Sequence, residues 1–272
     1  MKNNIDYLKE KHTFILCILI TVVYLAVLKG IGWIVSFSMK SHGYGLELIV
    51  EFIGVTVSII IISLFGKKYI FKEKGVGILR GLFIGGFLVF IGSITVVSSV
   101  VDIIHNKNVS QLLPLSQILM FIAAMAGVGM SEEFIFRGTI LNLLMDRFGK
   151  TSKGIYAAII LSSVIFGIAH ITNVFSGVLL KSAFIQAVGA GVLGALLAAI
   201  YVRSKNIWVV AMLHAFIDFS ALIGSGFFGT TSVASEINSY GYIKLIGCLI
   251  YLIPVLFLLR KKKLLEILKN EQ

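Results

Sequence analysis

Charge is what this sequence has least of. Of its 272 residues, 14% are Asp, Glu, Lys or Arg and 58% are hydrophobic, against about 25% and about 45–50% in a soluble domain. The mean hydropathy is +0.98. A globule of this size has too little polar surface to cover so much apolar material, which excludes a soluble enzyme and a disordered chain. Proline is nearly missing, with Pro114 and Pro254 against 27 glycines, a balance that suits a packed helical membrane bundle. Cysteine is as scarce. Cys17 and Cys248 sit in separate apolar runs with no CxxC, so they read as small packing residues. Acid is rarer than base, 13 against 24, for a net charge of +11. No basic, aromatic-interleaved module stands apart from the apolar runs, so no nucleic-acid partner is expected.

What is present is a series of apolar runs of bilayer length, about 20 residues each. They lie near 13–38, 45–66, 78–101, 115–145, 154–173, 182–202, 206–224 and 242–259. The first is longer than a signal-peptide core and no small-residue cleavage site follows it, so it reads as a span. The segment from Val174 to Lys181 reads either as a loop or as a re-entrant piece. The expectation is an all-α, polytopic helical bundle of about eight transmembrane helices, forming one integral membrane domain over 1–272. Charge sets its orientation, because cytoplasmic loops collect Lys and Arg. With the N-terminus inside, 18 basic residues fall in inside segments and four, Lys40, Lys107, Lys181 and Lys244, outside; Lys29 and Arg137 lie within spans. Both termini are therefore expected in the cytoplasm. Gly77, Gly81 and Gly85, and Ala187, Gly191, Ala195 and Ala199, recur every fourth residue and read as helix-packing stripes.

A charge in the bilayer core is costly enough to be a functional hypothesis by default. Three clusters qualify. In the fourth run, Glu133 and Arg137 are four residues apart, share a helix face and cancel each other's charge; they read first as a structural strut. Glu132 is rotated about 100° away, has no local partner, and must find one on another helix. In the fifth run, Phe166 and His170 share a face, so that the ring packs under the imidazole. In the seventh, His214 and Asp218 share a face, where the carboxylate orients the imidazole. Convergence of the three clusters lets each polar group satisfy another, and the expected catalytic set is Glu132, His170, His214 and Asp218, supported by Glu133, Arg137 and Phe166. Counted from the cytoplasmic loops, His214 lies less deep than Glu132 and His170, which requires tilt or shifted helix ends. Glu47 and Glu51, at the outer end of the second run, read as interfacial or structural groups that partner Lys29 or Lys40. His12, His42 and His105 carry no functional mark.

These residues resemble the type II CAAX prenyl endopeptidase and bacteriocin-processing (CPBP) intramembrane proteases, whose pattern is EExxxR, FxxxH and HxxxN or an HxxxD-like variant on successive membrane helices. The matching residues are Glu132, Glu133 and Arg137; Phe166 and His170; and His214 and Asp218. The motif-bearing core runs from about 115 to 224. The resemblance implies a peptidase within the membrane, opening toward the cytoplasm, with short peptides or protein tails, lipidated or not, as substrates. Glu132 would activate water, Glu133 and Arg137 would shape the site, and His170 would hold the water or assist proton transfer. His214 and Asp218 would polarise the scissile carbonyl. The family more often has Asn where Asp218 stands, and Asp lacks the amide donor. Glu132, His170, His214 and Asp218 are also acceptable zinc ligands; no HExxH is present, and metal is optional. Richness in Lys, Ile and Asn points to a bacterial cell membrane and to bacteriocin or peptide processing and self-immunity. Two other readings compete: a non-catalytic scaffold or immunity protein that keeps the fold, and a proton-coupled transporter using the same groups as a relay. The absence of a repeat between the two halves counts against the transporter.

Overall fold

A chain crossing a bilayer must satisfy its backbone hydrogen bonds internally, which leaves apolar helices as the means open to this sequence. A computed structural model describes residues 2–39, 44–72, 75–105, 111–229 and 232–270. It is 88% helical, and no strand forms among the described residues. In chain order the helices are α1 (Lys2–Lys11), α2 (Thr13–Met39), α3 (Tyr44–Leu64), α4 (Ile78–Ile84), α5 (Gly86–His105), α6 (Leu115–Glu133), α7 (Asn142–Phe148), α8 (Ser152–Ala169), α9 (Leu180–Ser204), α10 (Ile207–Phe228), α11 (Val233–Asn238), α12 (Ile243–Cys248), α13 (Leu252–Leu258) and α14 (Lys261–Asn270). A π-helical stretch, Phe134–Leu141, joins α6 to α7 into one long span. Among the described residues seven helices are long and apolar enough to cross a membrane, and the pair Ile243–Leu258 and Lys261–Lys269, bent by 57°, makes up to eight if it is one broken span rather than a re-entrant loop. The protein is thus a multi-pass helical membrane protein. Its outer surface agrees: Leu79, Phe83, Phe37 and Phe175 are each more than 80% exposed, which only hydrocarbon contact makes tolerable over so wide an area.

Two sequence readings are refined. The run predicted over 78–101 breaks at Gly85, which separates α4 from α5. The segment 174–181 is a short connection: α8 runs into a 3-10 turn, His170–Ser176, and after Gly177 (φ 87°) the chain enters α9 at Leu180. Left-handed backbone is where glycine costs least. Lys40, His42, Lys74 and Lys107 lie outside the described residues.

The basic loops gather at one end of the bundle. There Lys67 pairs with Asp146, Arg203 with Glu266 (3.2 Å), and the Val76 amide donates to the Ser204 carbonyl. Both terminal helices lie at this end, α1 against α7 and α14 against α8. Close helix contacts run through the small residues. A side chain at Gly81 or Gly85 would meet Val209 or Leu213 of α10, and one at Gly167 would meet the α9 backbone at Ala187 and Gly191. At the crossing of α6 and α10 backbone meets backbone. A Cβ at Gly129 would lie 2.4 Å from the Ala211 carbonyl oxygen and 2.8 Å from the Ala215 nitrogen. Because backbone cannot yield as a side chain does, Gly129→Ala should cost about 1–3 kcal/mol, read as a lower thermal midpoint in detergent.

Candidate active site

The π stretch begins directly after the two glutamates and is buried throughout, from Phe134 to Leu141. Its shifted carbonyls are taken up by side chains: the Asn142 amide reaches the carbonyls of Arg137 and Gly138, each at 3.0 Å. Such π insertions recur at functional sites. Within this turn Arg137 Nη1 donates to Glu133 Oε1 at 2.7 Å, as the spacing predicts, with side-chain exposures of 1% and 0%. Arg137 Nη2 donates to the Gly194 carbonyl at 2.9 Å, and the guanidinium lies 4.5 Å from the Phe166 ring centroid.

The strut has a second task. His214 Nδ1 lies 2.8 Å from the same Glu133 Oε1. That oxygen is a carboxylate acceptor already bound to Arg137, so Nδ1 carries the proton and donates. The imidazole is fixed in orientation by Glu133 rather than by Asp218 alone. Its other nitrogen, Nε2, faces Asp218 Oδ2 at 3.5 Å and Glu132 Oε2 at 3.8 Å. Glu132 has therefore found company on another helix, α10. Its Oε2 is shielded and has no hydrogen-bond partner, an acceptor left open beside an imidazole nitrogen.

His170 opens the 3-10 turn after α8. Its Nδ1 donates to the Phe166 carbonyl at 2.9 Å, which leaves Nε2 with its lone pair. Phe166 lies between the two histidines, its ring edge-on to His170 at 4.8 Å and to His214 at 5.8 Å between centroids. His170 also interacts electrostatically with Asp218. The three sequence clusters thus come together, with His214 in direct contact with both glutamates and His170 joined through Phe166 and Asp218. The depth mismatch has a plain cause. The fourth span continues to Phe148 and α8 begins at Ser152, while α10 begins only at Ile207. Helices of unequal reach place residues at one level that loop-counting sets apart.

Residues that the motifs do not contain complete the surroundings. Ser131 Oγ donates to Glu51 Oε2 at 2.5 Å, which sets an α3 carboxylate beside Glu132. Lys29 Nζ donates to Asn173 Oδ1 (3.2 Å) and Ser176 Oγ (2.9 Å) and interacts electrostatically with Glu47, Glu51 and Glu132. Glu47 and Glu51 thus have Lys29 as their cation, as read from the sequence, while Glu51 also interacts electrostatically with Glu132 and Glu47 with Asp218. Tyr24 of α2 is 1% exposed and its hydroxyl has no hydrogen-bond partner. It too interacts electrostatically with Glu51 and Glu132. A tyrosine inside an apolar run gives no sequence signal by itself.

The zinc reading meets an obstacle in the donor geometry. Among the described residues no three His, Cys, Asp or Glu side chains are grouped as a metal ion requires. Open grooves elsewhere, one lined by Ile59, Lys68 and Tyr69 and one by Phe90, Ser93 and Val97, hold no acid or imidazole, so the cluster rather than a cavity locates the chemistry.

Residues 114–220 match the family described as type II CAAX prenyl endopeptidase Rce1-like. No curated protein and no solved structure matches the chain. The matched stretch contains the glutamate pair, Arg137, Phe166, both histidines and Asp218, and over it the chain is similar to the CAAX-type intramembrane peptidases.

Proposed function

We propose that this protein is a bacterial cell-membrane endopeptidase, one membrane domain over 1–272, that hydrolyses peptides or protein tails with its own side chains. The observation that carries the reading is the open Glu132 oxygen beside Nε2 of a histidine locked by Glu133 and Arg137. Peptide hydrolysis needs a base for water, donors for the oxyanion and an acid for the leaving amine. Glu132 takes the proton from water and returns it to the amine. His214 Nε2, when protonated, donates to the developing oxyanion, and Asp218 holds that nitrogen in place. His170, whose Nε2 is uncommitted, accepts from the same water. The mechanism places both glutamates in one unit: Glu132 reacts, and Glu133 sets the imidazole against which it reacts. A peptide-library digest read by mass spectrometry tests the proposal. Cleavage at defined bonds supports it, and a protein that binds membranes and peptides but cuts none is the scaffold instead.

Tyr24 extends the site beyond the motif core. Its buried hydroxyl interacts electrostatically with Glu51 and Glu132 and neighbours Ser131, so it is placed to share a hydrogen bond with the groups around the base. Tyr24→Phe deletes only that hydroxyl. A hydrogen bond worth about 0.5–1.5 kcal/mol corresponds to a fall in kcat of about two- to tenfold, with KM unchanged. Thermal stability should change little, because the ring and its packing are kept. A purely structural tyrosine would instead lose stability and keep kcat.

A further inference from the structure

We infer that the last two helices of the chain hold an anionic phospholipid: Arg260, Lys261, Lys262 and Lys269 take its phosphate headgroup, and Ile253, Leu256 and Phe257 take an acyl chain. These residues lie outside 114–220, and the inference does not rest on the peptidase reading.

The sequence of α14, KKKLLEILKN, carries four lysines and one acid, Glu266, and Arg260 stands just before it. That acid is already neutralised. Lys263 Nζ donates to its two oxygens at 3.0 and 2.8 Å, and Arg203 Nη2 of α9 donates to Oε2 at 3.2 Å. Arg260, Lys261, Lys262 and Lys269 form no ion pair among the described residues. The helix turns one face to the bundle, where Leu264 and Ile267 are buried, Leu268 packs on the same core, and α8 is the neighbour. On the other face Lys261, Leu265 and Lys269 follow one another at four-residue spacing, and Lys262 is seven residues before Lys269. Positions four and seven apart share a helix face, so three lysines surround one leucine.

Charge and stacking set the level of this face. Ile253, Leu256 and Phe257 form an apolar stripe on α13, and Arg260 follows at the next position of the same spacing, just past the helix end. Its guanidinium folds back over the Phe257 ring, 4.0 Å from the centroid, and Nη1 donates to the Phe257 carbonyl at 3.4 Å. An arginine that ends an apolar stripe and covers its last aromatic ring has its stem in hydrocarbon and its charge at the headgroups. Beyond it the chain bends by 57°. Four lysines in ten residues are too costly to place in hydrocarbon, so α14 follows the interface, as basic amphipathic helices do. Its lysines then stand in the headgroup layer beside the stripe that the acyl chain follows. Cations without an acid of their own complement a phosphate that brings no cation with it. A zwitterionic headgroup neutralises its own phosphate, and free phosphate lacks the chain that meets Ile253, Leu256 and Phe257.

The full-length protein in a non-ionic detergent, titrated with phosphatidylglycerol, tests this, with bound lipid counted by native mass spectrometry beside the thermal midpoint. The parent chain is expected to retain this lipid and to gain in midpoint, and to do neither with phosphatidylcholine or inorganic phosphate. Replacing Lys261, Lys262 and Lys269 together with Gln should weaken retention about 100-fold, about fivefold for each basic residue at an anionic surface. Replacing Lys72, Arg80 and Lys150 with Gln removes the same charge from exposed positions in the basic loops and should leave retention unchanged. Equal losses in the two triple variants would reveal a diffuse attraction to the basic end and overturn the site. Unchanged retention in the α14 variant overturns it too, as does inorganic phosphate that raises the midpoint as far as the lipid. The parent chain alone supplies a further check: added salt should weaken retention, and retention indifferent to salt contradicts a headgroup held by charge.

Discussion

Glu132→Gln should reduce kcat for peptide cleavage by about 10²–10⁴-fold, the contribution of a positioned acid–base group, while leaving expression and the thermal midpoint unchanged. The amide keeps the shape of the side chain and removes its capacity to take a proton. Structural dependence on Glu132 is small. Its Oε2 makes no hydrogen bond, and its approach to His214 Nε2 is 3.8 Å, longer than a bond that orders a ring. Glu133 does that ordering, at 2.8 Å. The prediction thus separates neighbours in sequence: kinetics in detergent with a cleavable peptide, beside thermal unfolding of the same preparations, should show activity lost at 132 without stability.

Arg137→Ala should have the largest effect on stability, a loss of about 3–5 kcal/mol, because removing one partner leaves the other as a buried, uncompensated charge. The guanidinium is 1% exposed and serves Glu133, the Gly194 carbonyl and the Phe166 face at once. No other cation is within salt-bridge distance of Glu133 among the described residues apart from the imidazole of His214. Replacing both Glu133 and Arg137 with leucine removes the orphaned charge and should restore much of the lost stability. It should not restore cleavage, since His214 Nδ1 then has no acceptor to hold the ring. Thermal unfolding and peptide cleavage of the single and double variants separate these two roles of the pair.

The membrane bundle was legible because apolar runs of bilayer length and the one-sided basic loops are long-range compositional signals. The motif residues were legible because i, i+4 spacing puts Glu133 with Arg137 and His214 with Asp218 on shared helix faces. That spacing says nothing of contacts between helices. The bond from His214 Nδ1 to Glu133 joins α10 to the end of α6, and it turns an expected strut into the clamp of the imidazole. Tyr24 was missed, and Lys29 and Glu51 were read only as structural partners, for the same reason: they lie outside 114–220 and come near Glu132 only after α2 and α3 fold against the core. The π turn was invisible too, since Gly138 and Asn142 are unremarkable within a helix until the carbonyls they serve are placed. The break at Gly85 had a signal in the glycine stripe, which also describes unbroken packing and so could not decide between them.

The central claim is that Glu132, His214 and His170 act on one peptide bond. A structure of the Glu132→Gln protein in lipid with an uncleaved peptide bound tests it most directly. The scissile carbonyl is predicted to point its oxygen at His214 Nε2, with its carbon within one water molecule of residue 132 and with His170 on the same water. A peptide seated elsewhere, or these side chains turned away from it toward lipid, would contradict the account.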